Sequence, residues 1–235
     1  AEWVEAADAL IRRLRLERDR EVLKDILFKL GLIYAEQLPD TKRAVAAFAR
    51  VLQIDPDDRE ALARLADIHF EEWNWKEAYA VTARLAELEP VTEKKVGHLL
   101  RLARIQEEGF KDQHRATEAY RRALAVAPHS LAAIGEFARF YERQSDTRSV
   151  HVHLDTSITR FRAALAQDPF DLAAYAALFQ IFGWRRDPDR AHAAAQIIGA
   201  LGGTDERALA YLHQIGSKIE VAGGALSEPL VDDLL

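Results

Sequence analysis

A proline returns after a short apolar-to-acidic run at Pro56 (LQIDP), Pro90 (AELEP), Pro128 (LAVAP) and Pro169 (LAQDP), and the pair Gly202-Gly203 closes a further interval. The steps are 34, 38, 41 and 34 residues. Proline lacks the amide hydrogen and glycine lacks the Cβ, so both end helices, by different means. A chain punctuated in this way is confined to short elements, and one local solution must recur along it.

Counting back from each stop shows what recurs. Twelve residues before it stand Ala44, Ala78, Ala116, Ser157 and Ala191, all small; eight before it stand Phe48, Thr82, Tyr120, Phe161 and Ala195; five before it stand Val51, Leu85, Ala123, Ala164 and Ile198. Offsets of four and three place these on one helical face. A second helical pattern precedes each of these. Its leading apolar residues are Leu27, Leu62, Leu99, Ile134 and Tyr175, followed three residues on by Leu30, Leu65, Leu102, Phe137 and Leu178. Next come Gly31, Ala66, Ala103, Ala138 and Phe179, small except for the last, where a wider helix crossing is expected. Neither helix of a pair can bury its face alone, whereas stacked pairs can. The pattern predicts an all-α chain of five hairpins at about 21–56, 57–90, 91–128, 129–169 and 170–203. Residues 1–20 read as a helix of a truncated repeat, and 204–235 as a capping or continuing helix and tail. The first and third hairpins carry one extra residue, at LPDTKRA and FKDQHRA, and the fourth an insertion between Tyr141 and Ser157. Asp40, Asp112, Asp187 (before Pro188) and Thr204 read as helix N-caps, and Ser227-Glu228-Pro229 as a possible further helix start.

Over roughly residues 24–203 the pattern resembles the tetratricopeptide repeat, with its 34-residue period and small residues at helix crossings. The resemblance implies an α-α superhelix, a right-handed solenoid of antiparallel helix pairs, whose first helices line a concave groove. It implies a non-enzymatic scaffold or adaptor that binds a peptide or helix of another protein there. The family's groove positions fall on Asp25, Phe28, Leu32 and Glu36; on Ala63, Asp67, Phe70 and Glu71; on Leu100, Arg104 and Glu107; on Gly135, Arg139 and Glu142; and on Ala176, Gln180 and Trp184. Phe28, Leu32, Asp67, Phe70, Glu71, Leu100, Arg104, Arg139, Gln180 and Trp184 are the expected partner-binding residues, with the arginines favouring an acidic partner. Packing between repeats is the alternative for Phe28 and Phe70. The lysine and asparagine of the carboxylate clamp found in co-chaperones of this fold are missing: Phe28, Leu32, Arg64, Gly97 and Arg101 stand at the matching positions.

Composition narrows the rest. The formal charge is −6, which disfavours a nucleic-acid surface. No run of about 18 apolar residues suggests membrane insertion. The absence of cysteine removes disulfides and thiol chemistry while leaving the compartment open. Methionine is absent even at position 1, so the chain reads as an excised or processed piece. The one catalytic-looking stretch is VHVHLD, with His151, His153 and Asp155. It resembles the front of the metal motif of metallo-β-lactamase-type hydrolases, but Thr156 stands where a further histidine belongs, and residues two apart on a helix face different ways. The expectation is therefore no catalytic residue, no metal and no cofactor. Trp75 is expected to pack at the turn into a second helix, and self-assembly through solenoid ends is the rival to partner binding.

Overall fold

The computed structural model describes residues 2–216, and all regular structure among them is helical. The helices are α1 (Glu2–Leu16), α2 (Arg20–Leu32), α3 (Thr41–Ile54), α4 (Arg59–Glu71), α5 (Trp75–Leu88), α6 (Thr92–Arg104), α7 (Gln113–Val126), α8 (Leu131–Arg143), α9 (Thr147–Leu165), α10 (Leu172–Arg185), α11 (Pro188–Ala200) and α12 (Glu206–Gly216). Two compact units result, residues 1–126 and 127–235. In the first, α2, α4 and α6 pack against α3, α5 and α7; in the second, α8 and α10 pack against α9 and α11, and α12 packs on α11. The expected further helix start at Ser227 and the rest of the tail lie outside the described residues.

Local chemistry explains where the helices begin. The Asp19, Asp40, Asp58, Asp146, Asp171 and Asp187 carboxylates each accept an amide hydrogen from the first turn of the next helix. Asp112 does the same toward Arg115. At the last helix the capping residue is Asp205, which accepts from the Ala208 amide at 2.8 Å, rather than Thr204. Both can cap, and a carboxylate is favoured further by the helix dipole.

The extra residue of the first and third hairpins is absorbed without lengthening the turn. Both first helices end in a π-helical turn, Ile33–Gln37 after α2 and Ile105–Gly109 after α6. Such a turn accommodates one inserted residue within a helix. The amides of Asn74, Asp146 and Asp187 close their turns on the carbonyls of His69, Tyr141 and Phe182, five residues back. Those of Asp40 and Asp112 close on Tyr34 and Gln106, six back. Closure is thus conserved while the helix takes up the surplus.

The core follows the small–large pattern. Ala44, Ala78, Ala116 and Ser157 are completely buried, as are Phe48, Thr82 and Tyr120 one turn on. Gly31 is required where it stands: a Cβ there would lie 2.5 Å from Cε1 of Phe48. Gly109 is likewise covered by the Trp75 ring, which settles Trp75 as a packing residue between neighbouring pairs. Polar ties run within and between the pairs of the first unit. Lys24 Nζ lies 3.0 Å from Asp55, Arg64 3.0 Å from Glu36, and Arg101 2.6 Å from Asp67. Such partly exposed pairs add little stability individually, about 0–1 kcal/mol, and mainly fix register.

The fourth hairpin keeps a three-residue turn, so its insertion lies in α9, the longest helix at 19 residues. The surplus ahead of Ser157 is seven residues, close to two turns, and the apolar stripe therefore continues in phase through Val150, Leu154, Ile158, Phe161 and Leu165, all buried. The added turns carry His153 against α8, where its ring lies 4.8 Å from that of Phe137.

Candidate protein-binding faces

The first helices of the residue 1–126 unit present Phe28, Leu32, Asp67, Phe70, Glu71 and Arg104. Phe28 is half-buried and meets Phe48 edge-on at 5.5 Å, so it is shared between packing and surface. Leu32 is half-buried at the end of α2. Phe70 is half-buried too and supports a stack. Its ring contacts Trp75 edge-on at 5.6 Å, while the guanidinium carbons of Arg101 and Arg104 lie 5.5 and 5.4 Å from its centroid. Cations held over an aromatic face gain roughly 0.5–1 kcal/mol at exposed sites, so the ring helps to orient the two arginines. Arg104 is also held by Glu108, and Asp67 is engaged by Arg101. Glu71 is exposed and borders a concavity with Glu36, Arg64, Asp67 and Glu72.

Two expected groove residues are placed otherwise. Leu100 is only 9% exposed, because it shares the buried stripe of Val96 and Ala103, one turn away on either side. Glu107 falls in the π turn, is buried, and takes a hydrogen bond from the Tyr120 hydroxyl at 3.3 Å. Neither offers a surface to a partner.

In the unit of residues 127–235, Arg139, Gln180 and Trp184 line one concavity of about 470 Å³, together with Phe179, Arg207 and Tyr211. Phe179 replaces the small residue of the other pairs, and its ring meets Tyr211 at 5.4 Å. Trp184 covers Gly135, where a Cβ would come within 2.9 Å of the indole Cη2. Gly135 is therefore a seat for the tryptophan and not a contact of its own. Arg139 is exposed and bonded to Glu136 at 2.8 Å. Sequence reasoning misses Phe179, Arg207 and Tyr211: the first reads only as a wider crossing, and the other two lie on α12, outside the repeat alignment.

The VHVHLD residues diverge. The His153 Nε2 sits 2.9 Å from the Ile134 carbonyl oxygen, Asp155 pairs with Arg185 at 2.9 Å, and His151 lines a separate concavity. Among the described residues no group of three His, Cys, Asp or Glu side chains is arranged to hold a metal, and no helix is long and apolar enough to cross a membrane.

Burial lowers the His153 pKa below its ordinary 6.5. The folded chain therefore refuses a proton that the unfolded chain accepts, and stability is complete above about pH 6.5 and falls as pH drops below it. Urea midpoints at pH 7.5 and 5.5 should show this loss, and His153→Gln should reduce it. An equal loss in the variant would assign the effect elsewhere, with His98, also lowered by burial, next in line.

Residues 37–103 match the family model described as tetratricopeptide repeat. That stretch carries tetratricopeptide repeats. No curated protein matches its sequence at a significant level. Among solved structures, a tetratricopeptide repeat protein from Parabacteroides merdae ATCC 43184 is similar with TM-score 0.53 and 15% identity, over 99% of this chain and 91% of that one. The MamA RS-1 ArsTM double mutant is similar with TM-score 0.50 and 20% identity, over 71% and 87% respectively. These likenesses are of tetratricopeptide fold, and they agree with the helix-pair array seen here.

Proposed function

We propose that this tetratricopeptide chain is a non-enzymatic scaffold that holds a peptide or helix of a partner protein against its first-helix faces. The contacts are Phe28, Leu32, Asp67, Phe70, Glu71 and Arg104 on one unit, and Arg139, Gln180 and Trp184 on the other. The observation that carries this reading is the pairing of half-buried aromatics with exposed arginines on both faces: Phe70 with Arg104, and Trp184 with Arg139. Aromatic and arginine anchors dominate binding energy at protein interfaces. The arginines direct the preference toward acidic partners.

Charge reversal tests the reading. Arg104→Glu together with Arg139→Glu should abolish capture of acidic peptide ligands selected from a random display library, while helical content measured by circular dichroism stays unchanged. Retention of those ligands by the folded double variant would sink the proposal.

A further inference from the structure

The two turns that lengthen α9 set the fourth hairpin apart. They form one wall of an open concavity of about 730 Å³, closed on its other sides by the α8–α9 turn and the end of α10. Ser145, Thr147, His151, Trp184 and Arg186 line it, with Glu142 as the one acid. Arg186 is exposed and has no ion-pair partner among the described residues. Its neighbour Arg185 is already engaged by Asp155, which ties the end of α10 to the added turns. Trp184 is common to this concavity and to the one that holds Arg139 and Gln180. A segment lying along the first-helix face of this unit can therefore pass the indole and enter the second concavity.

We propose that the insertion in α9 adds a subsite that takes a carboxylate of the bound partner segment, from an Asp or Glu side chain. This rests on the peptide-binding reading above. Arg186 supplies the charge and a two-pronged donor that matches a carboxylate, His151 and the Ser145 and Thr147 hydroxyls supply further donors, and the Trp184 face packs the aliphatic stem. Glu142 limits the net positive charge. A monoanion is therefore accepted and a phosphate, near −2 at neutral pH, is disfavoured.

The test is to pan a phage-displayed random dodecapeptide library on the 235-residue chain and to measure the selected synthetic peptides by fluorescence anisotropy. Arg186→Gly is the informative variant. Arg186 has φ 58°, a conformation that strains any residue with a Cβ and suits glycine, so folding is not at risk. Selected peptides should share an acidic residue at fixed spacing from an apolar one. Arg186→Gly should weaken them about tenfold or more, and Asp→Asn or Glu→Gln in the peptide should do likewise, with little further loss when both changes are made. If Arg186→Gly leaves affinity within about twofold while Arg139→Glu still weakens binding, the subsite is wrong and the peptide-binding reading stands. If panning yields no binder, both fail. Tighter binding of a phosphoserine peptide than of its acidic counterpart would overturn the monoanion assignment.

Discussion

Phe48→Ala should destabilise the unit of residues 1–126 by about 3–5 kcal/mol, the usual range for a fully buried aromatic. The ring fills the space between α2 and α3, meets Phe28 edge-on and covers Gly31. The same geometry predicts a sign reversal at Gly31. Glycine to alanine within a helix normally gains about 0.5–1 kcal/mol. Here the new methyl meets the Phe48 ring at 2.5 Å, so Gly31→Ala alone should cost roughly 1–3 kcal/mol through overpacking. In a Phe48→Leu background the obstruction shrinks, and the substitution should become neutral or stabilising. Urea unfolding of the four chains gives the coupling directly, and hydrogen exchange shows whether the loss stays within α2 and α3, as expected where repeats contact only their neighbours. Additive effects would mean that the ring does not occupy this space.

The second large effect concerns binding. Trp184→Ala should weaken peptides selected on this chain by about 2 kcal/mol or more, close to thirtyfold, because the indole contributes to two concavities at once. Trp184→Phe should recover part of the loss, since it keeps an aromatic ring beside both concavities. Stability should change less than affinity, because Trp184 is half-buried while its neighbours Ile181 and Phe182 are almost fully buried. Unchanged affinity in a folded Trp184→Ala chain would remove the tryptophan from the proposed interface.

The hairpin pattern was legible because it rests on side-chain size at fixed spacing. Ala44, Ala78 and Ala116 read as crossing points in the sequence and have no exposed surface in the fold. The faces were less legible, for three identifiable reasons. Glu107 stands four residues after the buried Ala103 and seven after Leu100, so the buried stripe runs on into the π turn and carries it inward beneath the Tyr120 hydroxyl. A wide apolar stripe spans three or four positions per two turns, so Leu100 fell inside a boundary that spacing alone left open. Arg207 and Tyr211 join the Trp184 concavity from a helix with no counterpart in the repeat alignment, and nothing in their local sequence marks them. The direction of the VHVHLD residues was partly legible. Neighbours two apart on a helix diverge, and His153 turns onto α8, at the Ile134 carbonyl, while His151 lines a concavity.

The phase-preserving insertion in α9 also bears on how such a chain can change over time. An addition to a helix turns every later side chain away from its neighbours unless a π turn takes up the surplus, as after α2 and α6. Seven residues return the chain to nearly the same heading, so growth in this increment leaves Ile158, Phe161 and Leu165 buried as a block. The array can acquire or shed a ledge beside Trp184 in a single genetic step, leaving the hairpin that bears it standing, and recognition can diversify without renegotiating the core.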